Sequence, residues 1–258
     1  LRRQRQMCIR DRYLADMGAE VIHIESPSRP DLIRIMPPYA NGQATAHSYL
    51  NRNKQSIVLD LKDAASIDLI KTKISEFDIV IEQFRPDVMR RLGLDYATLA
   101  EINPRLIYCS ITGYGQTGNY KDRAGHDINY LALAGIAGYS GRQASGPPPL
   151  GIQVADIAGG SLHAVIAILA AVVERSRSGM GQYIDISMTD CVASLNSMAA
   201  SATLAAQVEQ APEQGMLNGG IFYDYYMTQD GRYLSIGSLE PQFMAGLSAA
   251  LDLPVLLQ

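Results

Sequence analysis

His126 stands in the run Gly125-His126-Asp127-Ile128-Asn129-Tyr130, at the expected start of a helix. A helix N-terminus disfavours imidazolium and so keeps a histidine neutral near pH 7, the state a general base needs. The same position also suits a purely structural histidine, with Asp127 as an N-cap. Asp156, in Val154-Ala155-Asp156-Ile157-Ala158-Gly159-Gly160, precedes a long apolar stretch. It can cap that helix, or act as a base or nucleophile over a floor of small residues that leaves room for a substrate. Glu240 precedes Pro241 at another helix start, where proline fits the first helical position. It is either a solvated carboxylate or one that orients a histidine. Lys62, Arg85 and Arg91 come after apolar runs and suit phosphate binding, although each alone reads equally well as a surface charge. Gly113-Tyr-Gly115-Gln-Thr-Gly118 matches the dinucleotide pattern GxGxxG. It lacks the helix that should start inside the glycines and the later strand-end acid, which favours a turn built for close approach over a nicotinamide site.

Positioning these groups requires strands that deliver loops to one edge. Apolar, β-branched runs at 20–25, 56–61, 78–84, 106–112, 183–187 and 232–237 alternate with helical patterns at 63–75, 86–100, 127–137, 157–177, 189–207 and 241–251. Near-continuous apolar strands between helices predict an α/β fold with a mostly parallel sheet. In such sheets ligands bind at the carboxyl ends of the strands, where Leu59–Lys62, Gln83–Arg85 and Gly125–Tyr130 fall.

The 258 residues, 47% hydrophobic and 19% charged, are ordinary for a globular chain. The net charge of −4 argues against a nucleic-acid partner. Cys8, Cys109 and Cys191 are too scattered for a disulfide scaffold or zinc ribbon, and no metal site is expected. Cys109 in a strand reads as a buried thiol in a reducing, cytoplasmic setting. The stretch 157–173 is the most membrane-like, but it reads better as a buried helix, so no membrane partner is expected. Residues 1–12 carry five arginines and one aspartate, show no apolar periodicity and are expected to be foreign to the rest of the chain.

In order along the chain, Tyr13-Leu-Ala-Asp-Met-Gly-Ala-Glu-Val-Ile, Leu59-Asp60-Leu61-Lys62, Phe84-Arg85-Pro86 with Arg91-Leu-Gly-Leu, Asn103-Pro-Arg-Leu-Ile-Tyr, Thr112–Gly118, Gly125–Tyr130, Asp156 and Ile236-Gly-Ser-Leu-Glu240-Pro-Gln-Phe resemble the family III CoA-transferases. Within that family the resemblance is to the α-methylacyl-CoA racemases. It implies a Rossmann-like large domain over 13–187, a helical linker over 188–214 and the start of an incomplete small domain over 215–258, in an interlocked homodimer. It also implies CoA binding by Leu59, Asp60, Leu61, Lys62, Gln83, Phe84, Arg85, Arg91, Gly125, Asp127, Ile128, Asn129 and Tyr130. His126 supported by Glu240 becomes one acid/base and Asp156 the other, with no cofactor beyond the CoA of the acyl-CoA substrate. The transferases use the matching aspartate as a nucleophile and usually lack the histidine and the Glu-Pro-Gln-Phe run, so the resemblance favours racemisation of 2-methylacyl-CoA thioesters over CoA transfer between acids. Two departures are Ser26, where the family often has arginine, and the absence of the family's N-terminal strand and loop. Residues 221–227 are candidates for lining the acyl pocket or for core.

Overall fold

The structure, a computed structural model, describes residues 3–220 and 222–257, with side chains described from Ile9 to Leu256 apart from 221. Nine strands are present among them: β1 (Val21–Glu25), β2 (Tyr39–Ala40), β3 (Gln43–Ala44), β4 (Lys54–Val58), β5 (Ile79–Glu82), β6 (Ile107–Thr112), β7 (Tyr183–Ser187), β8 (Tyr223–Met227) and β9 (Tyr233–Gly237). The chain forms two compact units, one from 1–130 with 152–195, the other from 131–151 with 196–258. This division runs along other lines than 187 and 214.

The first unit holds the parallel strands. β1 pairs with β4, and β5, β6 and β7 form a three-stranded sheet in that order, all parallel. All six residues of β6 are buried, as expected of a central strand covered on both faces. Ile107, Cys109 and Ile111 point to one side, and Tyr108, Ser110 and Thr112 to the other. On the second side Tyr108 joins Ile74, Leu94, Leu99 and Leu106 in a core cluster, and its hydroxyl donates to Leu94 O at 3.1 Å. Burial pushes the Cys109 thiol up to about 12, so it is an inert core thiol.

Three departures from expectation have local causes. The helix expected over 86–100 is two pieces, Val88–Arg91 and Tyr96–Ile102, because Gly93 takes a left-handed φ of 66° and turns Leu94 into the core. The stretch 157–177 begins as a π-helix, Ala155–Leu162, and continues as an α-helix, His163–Ser178. The first residues form a helix, Arg3–Asp16, that runs without a break across position 12. Arg, Gln and Met favour helix even without an amphipathic stripe, and tertiary packing against the π segment and the long helix overrides the missing periodicity. By length and composition Ala155–Ser178 could cross a membrane. It packs on β6 and β7, with Ala164, Val165, Ile168 and Ala171 buried and Ile166 and Val173 exposed.

In the second unit, β8 and β9 form an antiparallel pair, and the helix Pro241–Leu251 comes after it. Ile221 lies outside the described residues, and Tyr225 and Met227 are exposed on the β8 surface. Arg142 grips Asp224 with two bonds of 2.7 and 2.5 Å, which ties the 131–151 segment to this unit.

Candidate active site

The loops that carry the candidate residues of the first unit all leave the carboxyl ends of parallel strands. Leu59–Lys62 leaves β4, where Leu59 N–H donates to Glu25 O at 3.0 Å and Lys62 N–H to Asp60 Oδ1 at 3.0 Å. Gln83, Phe84 and Arg85 leave β5. Their loop is fastened by Glu82, whose Oε2 accepts the Phe84 N–H at 2.6 Å while Oε1 accepts the Ser110 hydroxyl from β6. Burial holds the Glu82 carboxyl above its ordinary range, and these two donors oppose that shift. Arg85 is exposed beside a cleft of about 230 Å³ that also includes Glu82, Tyr108, Ser110 and Tyr183. Arg91 ends the short helix Val88–Arg91 and is exposed.

Gly125–Tyr130 comes after β6 through the Gly113–Gly118 loop. No helix starts inside those glycines; Gly115 and Gly118 take φ of 79° and 82° and keep the chain in a loop. The glycines instead admit a ring. A Cβ on Gly113 would lie 2.5 Å from the Tyr130 ring, and one on Gly125 would lie 2.5 Å from the Tyr114 hydroxyl. Tyr130 donates to Gly125 O at 2.7 Å and stacks edge-on with Tyr114 at 5.3 Å. Gly113 O in turn accepts from both N and Oγ1 of Thr189, at 3.1 and 2.7 Å. The loop bearing His126 is therefore packed in place rather than hanging free.

His126 is the exposed N-cap of the helix Asp127–Leu133. Its carbonyl accepts Asn129 N–H at 2.8 Å, and its own N–H donates to Asn129 Oδ1 at 3.0 Å. Asp127 is the first residue of that helix. It is buried, and its Oδ1 accepts the backbone N–H of Asp156 at 2.8 Å. The loop carrying one candidate acid/base is thus hydrogen-bonded to the residue that is the other.

Asp156 is 1% exposed and lies within the π segment, not at its cap. Its Oδ2 accepts from Gln153 Nε2 at 2.8 Å, and its carbonyl accepts the Ser161 hydroxyl at 3.1 Å. Wide π turns recur at functional sites. Here the turn is set by packing: a Cβ on Gly159 would lie 2.5 Å from Val192 Cγ2 and 2.9 Å from Met188 O, so only glycine lets the helix Met188–Leu195 approach this closely.

Glu240 belongs to the second unit. It is the exposed N-cap residue of Pro241–Leu251, with its carbonyl accepting from Phe243 and Met244 at 2.9 and 3.0 Å. Sequence reasoning missed Gln153 and Glu82. The spacing Gln153-x-x-Asp156 and an acid closing the apolar run of β5 were the available signals.

A family model for CoA-transferase family III matches residues 9–258. The chain is 38% identical over 242 residues to the α-methylacyl-CoA racemase of Mus musculus, covering 93% of this chain and 59% of that protein. It is 36% identical over 247 residues to the succinyl-CoA:glutarate CoA-transferase of Homo sapiens, covering 95% and 56%. A crystal structure of a CAIB/BAIF family protein from Brucella suis superposes with a TM-score of 0.81 at 33% identity, over 96% of this chain and 66% of that one. The chain spans somewhat under three fifths of the length of these two curated relatives. With parallel strands, loop placement and sequence all agreeing, this chain belongs to CoA-transferase family III.

Proposed function

We propose that the protein racemises 2-methylacyl-CoA thioesters, with His126 and Asp156 as the two acid/bases. The observation that carries this reading is the bond from Asp156 N–H to Asp127 Oδ1, which couples the residue beside His126 to Asp156. Inverting a carbon next to a thioester takes removal of a weakly acidic α-proton and return of a proton to the opposite face. A histidine and a carboxylate serve as the pair, one accepting while the other donates, with roles exchanged in the reverse direction. The intermediate is an enolate, whose oxygen needs donors such as the N–H groups at the start of Asp127–Leu133. Leu59–Lys62, Gln83–Arg85, Arg91 and Gly125–Tyr130 hold CoA in this reading. Glu240 supports His126 in an interlocked homodimer, and the CoA of the substrate is the only cofactor needed.

A second reading is CoA transfer between carboxylic acids through an acyl intermediate on Asp156. It draws support from 43% identity over 184 residues to a succinate–glutarate CoA-transferase of Agrobacterium fabrum, covering 69% of this chain. The test is deuterium uptake at the α-carbon of a 2-methylacyl-CoA in heavy water, with His126→Ala and Asp156→Ala alongside. Uptake lost in both variants supports racemisation. Absence of uptake, with CoA passing to an added acid in an Asp156-dependent way, replaces it with transfer.

A further inference from the structure

We infer that Gln153 is a positioning residue for the reaction, holding the Asp156 carboxylate in its working orientation. The inference rests on the reading of Asp156 as the reacting carboxylate, whichever of the two reactions it serves.

Two anchors grip Asp156 from different directions. Asp127 Oδ1 takes its main-chain N–H at 2.8 Å, fixing where the residue sits. Gln153 Nε2 donates to Oδ2 at 2.8 Å, fixing which way the side chain turns. Gln153 lies two residues before the π segment, and its amide reaches forward to the carboxylate three residues on. Gln153 is half-buried, and its carbonyl accepts the Ile157 N–H at 2.9 Å, so its own backbone is tied into the start of the π segment. An aspartate has two side-chain torsions to settle before either oxygen can meet a substrate atom. A donor already on one oxygen removes that freedom before the reaction begins. Gln153 touches Asp156 and so acts through its neighbour rather than on the substrate. A purely structural glutamine at this position would stabilise the helix start and leave turnover untouched.

The experiment compares Gln153→Met, which keeps length and removes the donor, with Gln153→Glu, which keeps shape and replaces the amide by a carboxylate. Both are made in the full chain beside Asp156→Asn, and kcat, KM and thermal midpoint are measured for whichever reaction the parent catalyses. A hydrogen bond to a charged group corresponds to about 10- to 100-fold in kcat. Positioning requires a fall of that size in Gln153→Met, a fall at least as large in Gln153→Glu, and KM and midpoint near the parent's. Parental kcat in both variants overturns the inference, as does a loss of kcat that only tracks a loss of midpoint. Should Asp156→Asn keep full turnover, the underlying reading of Asp156 fails instead, and that outcome is visible separately.

Discussion

Replacing Gly159 by alanine tests whether the π turn under Asp156 is held by close packing. The added Cβ would sit 2.5 Å from Val192 Cγ2 and 2.9 Å from Met188 O, where ordinary contact begins at 3.4 Å. Val192 is 0% exposed and Met188 O is main chain, so neither can swing aside as a long side chain would. The π segment and the helix Met188–Leu195 must move apart by roughly 1 Å, because a packed interior has no spare volume to absorb the methyl. Overpacking of this kind costs about 1–3 kcal/mol. For a chain of this size that lowers the thermal midpoint by about 2–4 °C per kcal/mol. Asp156 lies three residues earlier on the segment that moves. With Asp156 as the reacting carboxylate we propose, a displacement of about 1 Å there is worth on the order of 100-fold in rate, so turnover falls further than stability. Gly160→Ala is the control, since its closest contacts are with the flexible Met188 side chain, Cγ at 3.1 Å and Sδ at 3.2 Å. Val192→Ala in the Gly159→Ala background removes the nearer clash and recovers part of the loss, leaving the contact with Met188 O. Parental midpoint and turnover in Gly159→Ala, or no coupling with Val192→Ala, would refute the packing argument.

Two stability predictions come from buried charge. Arg10 is fully buried; Nε lies 3.3 Å from Asp11 Oδ1, but none of its three side-chain nitrogens makes a hydrogen bond among the described residues. Asp11 is buried too and keeps Lys54 at 4.0 Å when the arginine is removed, so Arg10→Met, which breaks a buried ion pair from one side, is expected to destabilise by about 3–5 kcal/mol, and a parental melting midpoint would refute this. Glu25 is bound by Arg34 at 2.5 and 3.0 Å and by the Ser56 hydroxyl at 2.7 Å, and the Arg34 guanidinium leads in holding its carboxyl at about 2 against an ordinary 4.5. A depressed value means stability that is present above pH 4.5 and lost as pH falls toward 2, so Arg34→Met is expected to move acid unfolding, monitored by circular dichroism, toward neutral pH; an unchanged acid limb would rule this out.

The parts of the fold that were legible in the sequence are those governed by local pattern. Runs rich in Ile, Val and Tyr marked β5, β6 and β7, and the helix at 241–251 was marked by Pro241 at its first position. The break at Gly93, the π turn at Ala155–Leu162 and the helix Arg3–Asp16 depend on what packs against them, which no short window contains. The site divides in the same way. His126 and Asp156 stand out by residue type and by resemblance, but the bond from Asp156 N–H to Asp127 joins residues 29 apart through a main-chain donor. Glycine spacing indicated a turn built for close approach, but not that the group approaching Gly113 is the Tyr130 ring.

What separates the two candidate reactions is the second base. A transferase needs an ionised aspartate that can reach a thioester carbonyl, and its later steps return CoA to the same centre, so nothing in that cycle calls for a proton acceptor at position 126. A racemase cannot do without one, because the face opposite Asp156 must exchange a proton in every turnover. Removing a general acid/base costs on the order of 10²–10⁴-fold. Asp156→Ala is therefore uninformative between the two, as both reactions lose their central group. His126→Ala discriminates: it cripples exchange at the α-carbon if the pair is a two-base racemase, and it spares CoA transfer if His126 only caps the helix Asp127–Leu133. The exposed ring of His126 and the burial of Asp127 and Asp156 make that variant a fair one, since its side chain can be cut back without opening the core that holds the carboxylate.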